Sequence, residues 1–118
     1  MKKVLIVDDD EKNRKLLKDL LTFKGFEVTA CENGKETLEK TTSDMLFAIL
    51  DLRLPDISGY EVAKQLKEKF PKLPLIVYTA SPLKEEIERL RKNEIFESIL
   101  LKPIRLENFE EVMKKYSK

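Results

Sequence analysis

Positions 46–51 read Leu-Phe-Ala-Ile-Leu-Asp, five apolar residues followed at once by an acid, Asp51. A short apolar run without alternating polar positions predicts a strand covered on both faces, as in parallel sheets flanked by helices. A carboxylate at the end of such a strand needs a partner, because burying an unpaired charge is costly. This stretch therefore predicts a buried parallel strand with a functional acid at its carboxyl end.

Four further strand-like runs alternate with helical segments along the chain. The runs are Val4 to Val7, Phe26 to Cys31, Leu75 to Tyr78 and Ser98 to Leu101. Apolar residues at helical spacing predict buried helix faces: Leu16, Leu17, Leu20 and Leu21; Val62, Ala63, Leu66 and Phe70; Phe109, Val112, Met113 and Tyr116. Five alternating units predict an α/β fold, a flavodoxin-like doubly wound (βα)5 domain whose five-stranded parallel sheet has the order 2-1-3-4-5.

Turn and cap residues agree with these segments. Asp10 is placed to cap the first helix at its amino end, and Gly25 follows that helix as a carboxyl-terminal cap does. Asn33-Gly34 marks the turn into the second helix. The local signals therefore predict the same element boundaries as the apolar periodicity.

Composition narrows the class of protein. The 118 residues are 42% apolar, which suits one compact domain over residues 1–118. Charged residues make up 38% but leave a net charge of only +1, so no basic field predicts nucleic-acid binding. The apolar runs fall far short of the ~20 residues of a membrane span, and no signal-peptide pattern is present. The single cysteine, Cys31, cannot form an internal disulfide and predicts a buried thiol, which fits the reducing cytoplasm, the expected location.

Polar side chains stand directly after four of the five predicted strands. They are Asp8, Asp9 and Asp10 after strand 1, Asp51 after strand 3, Thr79 after strand 4 and Lys102 after strand 5. Ligands of open α/β sheets bind beyond the carboxyl ends of the strands, near the point where strand order reverses. Because strands 1, 3, 4 and 5 are neighbours in the predicted order, these side chains are expected to converge on one edge.

Each residue taken alone also has an ordinary structural explanation. Asp10 is better explained as a helix cap than as a ligand. Asp8 and Asp9 equally suit the amino end of a helix, where acids are favoured. Thr79 and Lys102 alone are unremarkable strand-end residues. The functional interpretation depends on all of them appearing at successive strand ends.

Together the residues suit phosphoryl transfer to a carboxylate. Crowded carboxylates repel one another, and either a bound cation or a shifted pKa has to relieve the repulsion. Oxygen ligands without histidine or cysteine suit Mg²⁺ or Mn²⁺. A lysine and a hydroxyl at the same place can stabilise charge on phosphoryl oxygens while one carboxylate acts as the nucleophile. The set predicts a phosphoaspartate site.

Four motifs resemble the receiver domain of bacterial response regulators, in the family's order and spacing over nearly the whole chain. They are the run 4–10, the segment 49–55 with Gly59, the pair Thr79-Ala80 and the pair Lys102-Pro103. The resemblance implies that Asp51 is phosphorylated, that Asp9 binds the metal directly and that Asp8 orders the metal site. It further implies a metal contact from the backbone carbonyl of Arg53, a phosphoryl contact from Thr79, an ion pair from Lys102 and a cis Lys102-Pro103 peptide.

The same resemblance implies partners and output. The phosphoryl donor is expected to be a phosphohistidine on a sensor histidine kinase or a phosphotransfer protein, and the downstream target is an unidentified protein. The usual output face of the family is built from the fourth helix, fifth strand and fifth helix. The chain is expected to act as a monomer or a weak phosphorylation-dependent dimer. It is not expected to turn over an external substrate.

Three positions depart from the family pattern. Ser58 stands where many receivers have aspartate, Ile99 stands where a switch aromatic is usual, and Arg53 places a cation two residues after the phosphoacceptor. The missing aromatic puts the coupling of phosphorylation to the outer surface in question. We expect Arg53 to shield the phosphoryl group from water.

Two other classes of protein are considered as alternatives to a phospho-accepting receiver. Without its switch aromatic, the chain can be read as an interaction module that no longer depends on phosphorylation, but the intact acids, Thr79 and Lys102 argue against that. A phosphatase of the haloacid dehalogenase type also uses a strand-end aspartate, but it places a second acid where this chain has Arg53. The opening Met1 favours a stand-alone regulator, and a fragment of a longer regulator or hybrid kinase is the other reading.

Overall fold

The structure, a computed structural model, describes residues 2–80 and 84–116. Its strands are Lys2–Val7 (β1), Phe26–Cys31 (β2), Met45–Asp51 (β3), Leu75–Thr79 (β4) and Phe96–Leu101 (β5). Its helices are Glu11–Phe23 (α1), Gly34–Lys40 (α2), Gly59–Lys69 (α3), Lys84–Lys92 (α4) and Leu106–Met113 (α5). None of these helices is both long enough and apolar enough to span a lipid bilayer.

The strands form one parallel sheet in the order β2-β1-β3-β4-β5, which confirms the predicted fold and topology. The register aligns the carboxyl ends of the central strands. Val7 pairs with Leu50, and Asp51 pairs with Tyr78 on the next strand. The residues that follow these strands therefore start from the same level of the sheet.

Two apolar layers cover the two faces of the sheet. Alternate strand residues such as Leu5 and Leu50 pack with the layer that includes residues of α3 and α4, whereas Ile6 and Ile49 pack with residues of α1 and α5. Burial on both faces explains why β1, β3 and β4 are nearly continuous apolar runs. The predicted buried thiol is confirmed, because Cys31 is 0% exposed.

Local capping follows the sequence. Asp10 accepts hydrogen bonds from the backbone N–H groups of Lys12 and Asn13, which confirms its role as an N-cap. Asn33 and Ser58 cap α2 and α3 in the same way. Gly25 has φ of 95°, a conformation that favours glycine, directly after the C-cap of α1.

Some predicted boundaries and one predicted core residue were wrong. β5 begins at Phe96 rather than Ser98, because the buried Phe96 pairs with Leu75. Phe70 and Tyr116 lie just beyond the ends of α3 and α5. Leu16 was expected in the core but is 46% exposed, because the buried stripe of α1 is narrower than the run of leucines.

Candidate functional site

Four strands deliver the predicted polar residues to one edge of the sheet. Asp8 directly follows β1 and is fully buried, while Asp51 and Thr79 are the last residues of β3 and β4 and are also buried. The backbone N–H of Lys102 donates a 2.9 Å hydrogen bond to the carbonyl of Thr79, which anchors the start of the loop after β5. The sheet register thus brings these residues of the predicted set together.

The side chain of Lys102 joins the two buried acids. Its Nζ lies 2.8 Å from Asp51 Oδ2, to which it donates a hydrogen bond, and 3.0 Å from Asp8 Oδ2. Burial disfavours the charged ammonium, but its hydrogen bond to Asp51 and its attraction to the charges of Asp51 and Asp8 together outweigh burial, so the pKa of Lys102 is raised above its usual value. Lys102 is therefore a cation held directly beside the predicted phosphoacceptor.

The acids form a compact cluster with one exposed and two buried members. Asp8, Asp9 and Asp51 each offer a carboxylate oxygen, and these oxygens all lie within 4.8 Å of one another. Burial raises the pKa of Asp8 to about 6, although the Asp10 N–H and the Lys102 ammonium act in the opposite direction. Crowded carboxylates of this kind are stabilised by a bound cation.

The donor set fits a hard divalent metal ion. All three clustered groups are carboxylates, which suit Mg²⁺, Mn²⁺ or Ca²⁺ rather than soft metals. Asp8 Oδ2 is buried and accepts no hydrogen bond of good geometry from the described residues, so its contact with Lys102 is a bare ion pair. This oxygen retains capacity for a further positive partner.

The loop after β3 is fixed at both ends. The backbone N–H of Arg53 donates a 2.9 Å hydrogen bond to Asp51 Oδ1, which orients the carboxylate, and the Arg53 side chain is exposed. Gly59 packs so closely that a Cβ at this position would collide with the backbone of Asp51 and Leu52. The conformation of the loop is thus coupled to the position of the acid.

The sequence did not predict the contacts that three residues make at these strand ends and in the loop after β3. Arg14 donates a 2.8 Å hydrogen bond from Nη1 to the carbonyl of Asp8. Asp56 accepts hydrogen bonds from the backbone N–H groups at the start of α2. The ring of Tyr78 lies under the ammonium of Lys102, with Nζ 4.6 Å from the ring centroid. The sequence carried one usable signal, a lone hydroxyl-bearing aromatic in the otherwise aliphatic part of β4.

The structure also describes the Lys102-Pro103 peptide and the surroundings of Ile99. The Lys102-Pro103 peptide is cis, as predicted. Ile99, at the place of the usual switch aromatic, is half-buried on β5 and lines a groove of about 400 Å³ between α4 and α5. The individual roles of Asp8, Asp9, Asp51, Arg53, Thr79 and Lys102 remain predictions, now with a defined geometry.

Comparison with known proteins identifies similar chains. Residues 4–114 match the family model of the response regulator receiver domain. The chain is 38% identical to the polar-differentiation response regulator DivK of Brucella anthropi over 118 residues, covering 98% of this chain and 95% of DivK.

Solved structures show the same fold. The response regulator protein TrrA of Thermotoga maritima, solved in complex with Mg²⁺ and BeF, is 31% identical with a TM-score of 0.82, covering 98% of this chain and 99% of TrrA. The chemotaxis protein CheY4 of Vibrio cholerae has a TM-score of 0.85 at 24% identity, covering 98% of each chain.

Proposed function

Because this chain belongs to the response regulator receiver domain family, we propose that its own Asp51 accepts a phosphoryl group from a phosphohistidine. The observation that carries the proposal is the 2.8 Å contact between Lys102 Nζ and Asp51 Oδ2 beside two further acids. The donor is a sensor histidine kinase or a phosphotransfer protein. The module acts in two-component signalling and does not turn over an external substrate.

The chain's residues have distinct tasks in this transfer. A carboxylate oxygen of Asp51 attacks phosphorus, the bond from phosphorus to the imidazole nitrogen breaks, and the nitrogen keeps the electron pair. Lys102 moves its hydrogen bond from Asp51 Oδ2 to an oxygen of the transferred group, where negative charge persists. The hydroxyl of Thr79, at the end of β4, donates a hydrogen bond to another phosphoryl oxygen.

A divalent ion, Mg²⁺ or Mn²⁺, is part of the proposal. Asp8, Asp9 and Asp51 would hold it, together with the backbone carbonyl of Arg53. When bound, the ion neutralises negative charge on the phosphoryl oxygens. The solved complex of the similar protein TrrA with Mg²⁺ and BeF supports a magnesium ion at this site.

The output is proposed to be a protein-binding surface built from α4, β5 and α5. The groove between these elements is lined by both charges, including Arg91 and Glu111, and by the half-buried Ile99. Mixed charge of this kind suits a reversible contact with a protein rather than with nucleic acid. We propose a cytoplasmic monomer, or a weak dimer when phosphorylated, over residues 1–118.

Incubation with acetyl phosphate and Mg²⁺ tests the function. Intact-mass spectrometry should find one added phosphoryl group on the native chain and none on Asp51→Asn. The variant Asp44→Asn, which changes an exposed acid paired with Lys3 away from the site, should be modified like the native chain. Native protein that takes no phosphoryl group with either Mg²⁺ or Mn²⁺ would favour the interaction module that does not depend on phosphorylation, the reading suggested by Ile99.

A further inference from the structure

Tyr78 is a buried aromatic residue that the proposed transfer does not yet use. It occupies the next-to-last position of β4, is 0% exposed, and packs in the apolar layer shared with α1 and α5. Its hydroxyl is buried and makes no hydrogen bond with the described residues.

The face of the Tyr78 ring receives the ammonium group of Lys102. The distance from Nζ to the ring centroid is 4.6 Å, inside the ~6 Å range of a cation–π interaction. The Lys102 side chain is only 14% exposed, and such contacts strengthen when water is excluded. The ammonium therefore has three fixed neighbours, namely the Asp8 and Asp51 carboxylates and the aromatic ring.

The ring keeps its neutral form in this environment. Burial, followed by the nearby negative charges of Asp8 and Asp51, raises the pKa of Tyr78 well above its usual value. In its neutral form the ring presents the negative face of its quadrupole to the Lys102 ammonium.

We propose that Tyr78 is a positioning residue for phosphoryl transfer, whose ring face holds the Lys102 ammonium between Asp8 and Asp51. The inference rests on the proposed phosphoacceptor role of Asp51. When Asp51 becomes an acyl phosphate, its carboxylate loses its charge and Lys102 has to turn toward a phosphoryl oxygen. The position and charge of the Tyr78 ring stay the same in that step. The ring therefore keeps its contact with the ammonium while Lys102 exchanges one hydrogen-bond partner for the other.

The hydroxyl has no part in this role, and that makes the inference testable with closely matched variants. Tyr78→Phe keeps the ring, Tyr78→Leu removes it, and Phe47→Leu removes a different fully buried ring from the same apolar layer. A lost contact of about 1 kcal/mol corresponds to an approximately fivefold change in rate. We expect Tyr78→Leu to slow phosphorylation by acetyl phosphate about fivefold, with Tyr78→Phe and Phe47→Leu close to the native rate.

Nuclear magnetic resonance supplies a readout that general destabilisation does not reproduce. Protons next to Nζ of Lys102 should be shifted upfield by the ring current in the native chain and in Tyr78→Phe. This shift should disappear in Tyr78→Leu and persist in Phe47→Leu. Equal rates for the two leucine variants, or an unshifted Lys102 in the native chain, would overturn the positioning role.

Fluorinated phenylalanines at position 78 cover the case in which Tyr78→Leu does not fold. Successive ring fluorines withdraw charge from the ring face while nearly conserving its shape, so the rate should fall stepwise along the series. A flat series would overturn the inference. Failure of the native chain to accept any phosphoryl group would instead reject the proposed function, and the Lys102 resonances would still decide whether the ring holds the ammonium.

Discussion

The carboxylate of Asp56 accepts a 2.8 Å hydrogen bond from the backbone N–H of Gly34, which ties the loop after β3 to the first turn of α2. The same carboxylate accepts hydrogen bonds from the N–H groups of Lys35 and Ile57. The loop that carries Arg53 is thus tied to α2 by a side chain of the loop itself. This contact crosses 22 residues of sequence.

We expect Asp56→Asn to lower thermal stability at neutral pH, because an amide cannot accept these hydrogen bonds with a negative charge. The N–H groups of Gly34 and Lys35 hold the pKa of Asp56 below its usual value of 3.8. The charged form is thus favoured by folding, so its stabilisation is present above pH 3.8 and is lost as pH falls through the lower folded pKa. Melting temperatures of both proteins should differ at pH 7 and converge well below 3.8, whereas a gap that persists in acid would contradict the assignment.

The sequence predicts which residues stand at the strand ends but not which side chains of different elements touch. Asp51 and Lys102 were found because a parallel sheet brings its strand ends to one edge whatever the details of packing. The contact of Asp56 with Gly34 was not predicted, since it joins a loop to the start of a helix distant in sequence and has no periodic signal. The contact of Tyr78 with Lys102 depends on side-chain direction, which strand alternation alone does not determine. Leu16 was misplaced because four leucines in α1 exceed the width of its buried face.

Asp8→Asn should stabilise the protein in the presence of a chelator while abolishing stabilisation by Mg²⁺. Burial raises the pKa of Asp8 from 3.8 to about 6, so folding favours the protonated form of this side chain. The stability that Asp8→Asn gains over the native chain should therefore be absent below pH 3.8 and complete above about pH 6. The shift corresponds to roughly 1–3 kcal/mol at neutral pH. Urea unfolding with chelator and with Mg²⁺ measures both effects, and a variant that Mg²⁺ still stabilises as it does the native chain would remove Asp8 from the metal site.

Gly59→Ala should impair phosphorylation and stability together. The added Cβ would collide with the backbone of Asp51 and Leu52, so the proposed phosphoacceptor Asp51 has to move. Overpacking of this kind costs about 1–3 kcal/mol. Gly25→Ala is the matched control, because the space around Gly25 is open and only its φ of 95° is strained, which costs about 1 kcal/mol. Both variants should be less stable than the native chain, but only Gly59→Ala should be phosphorylated by acetyl phosphate more slowly than the native chain.

Arg53→Asn should shorten the lifetime of the phosphorylated form. The backbone N–H of Arg53 is hydrogen-bonded to Asp51 Oδ1 and the Arg53 side chain is exposed. We expect the guanidinium to turn toward a phosphoryl group on Asp51 and to obstruct attacking water. Loss of one such contact, about 1 kcal/mol, corresponds to roughly fivefold faster hydrolysis. The decay of the phosphorylated mass after removal of the donor measures the rate. Arg53→Lys keeps the charge but loses the planar guanidinium, so its decay rate should lie between those of the native chain and Arg53→Asn. Decay in Arg53→Asn that is equal to or slower than in the native chain would exclude a shielding role.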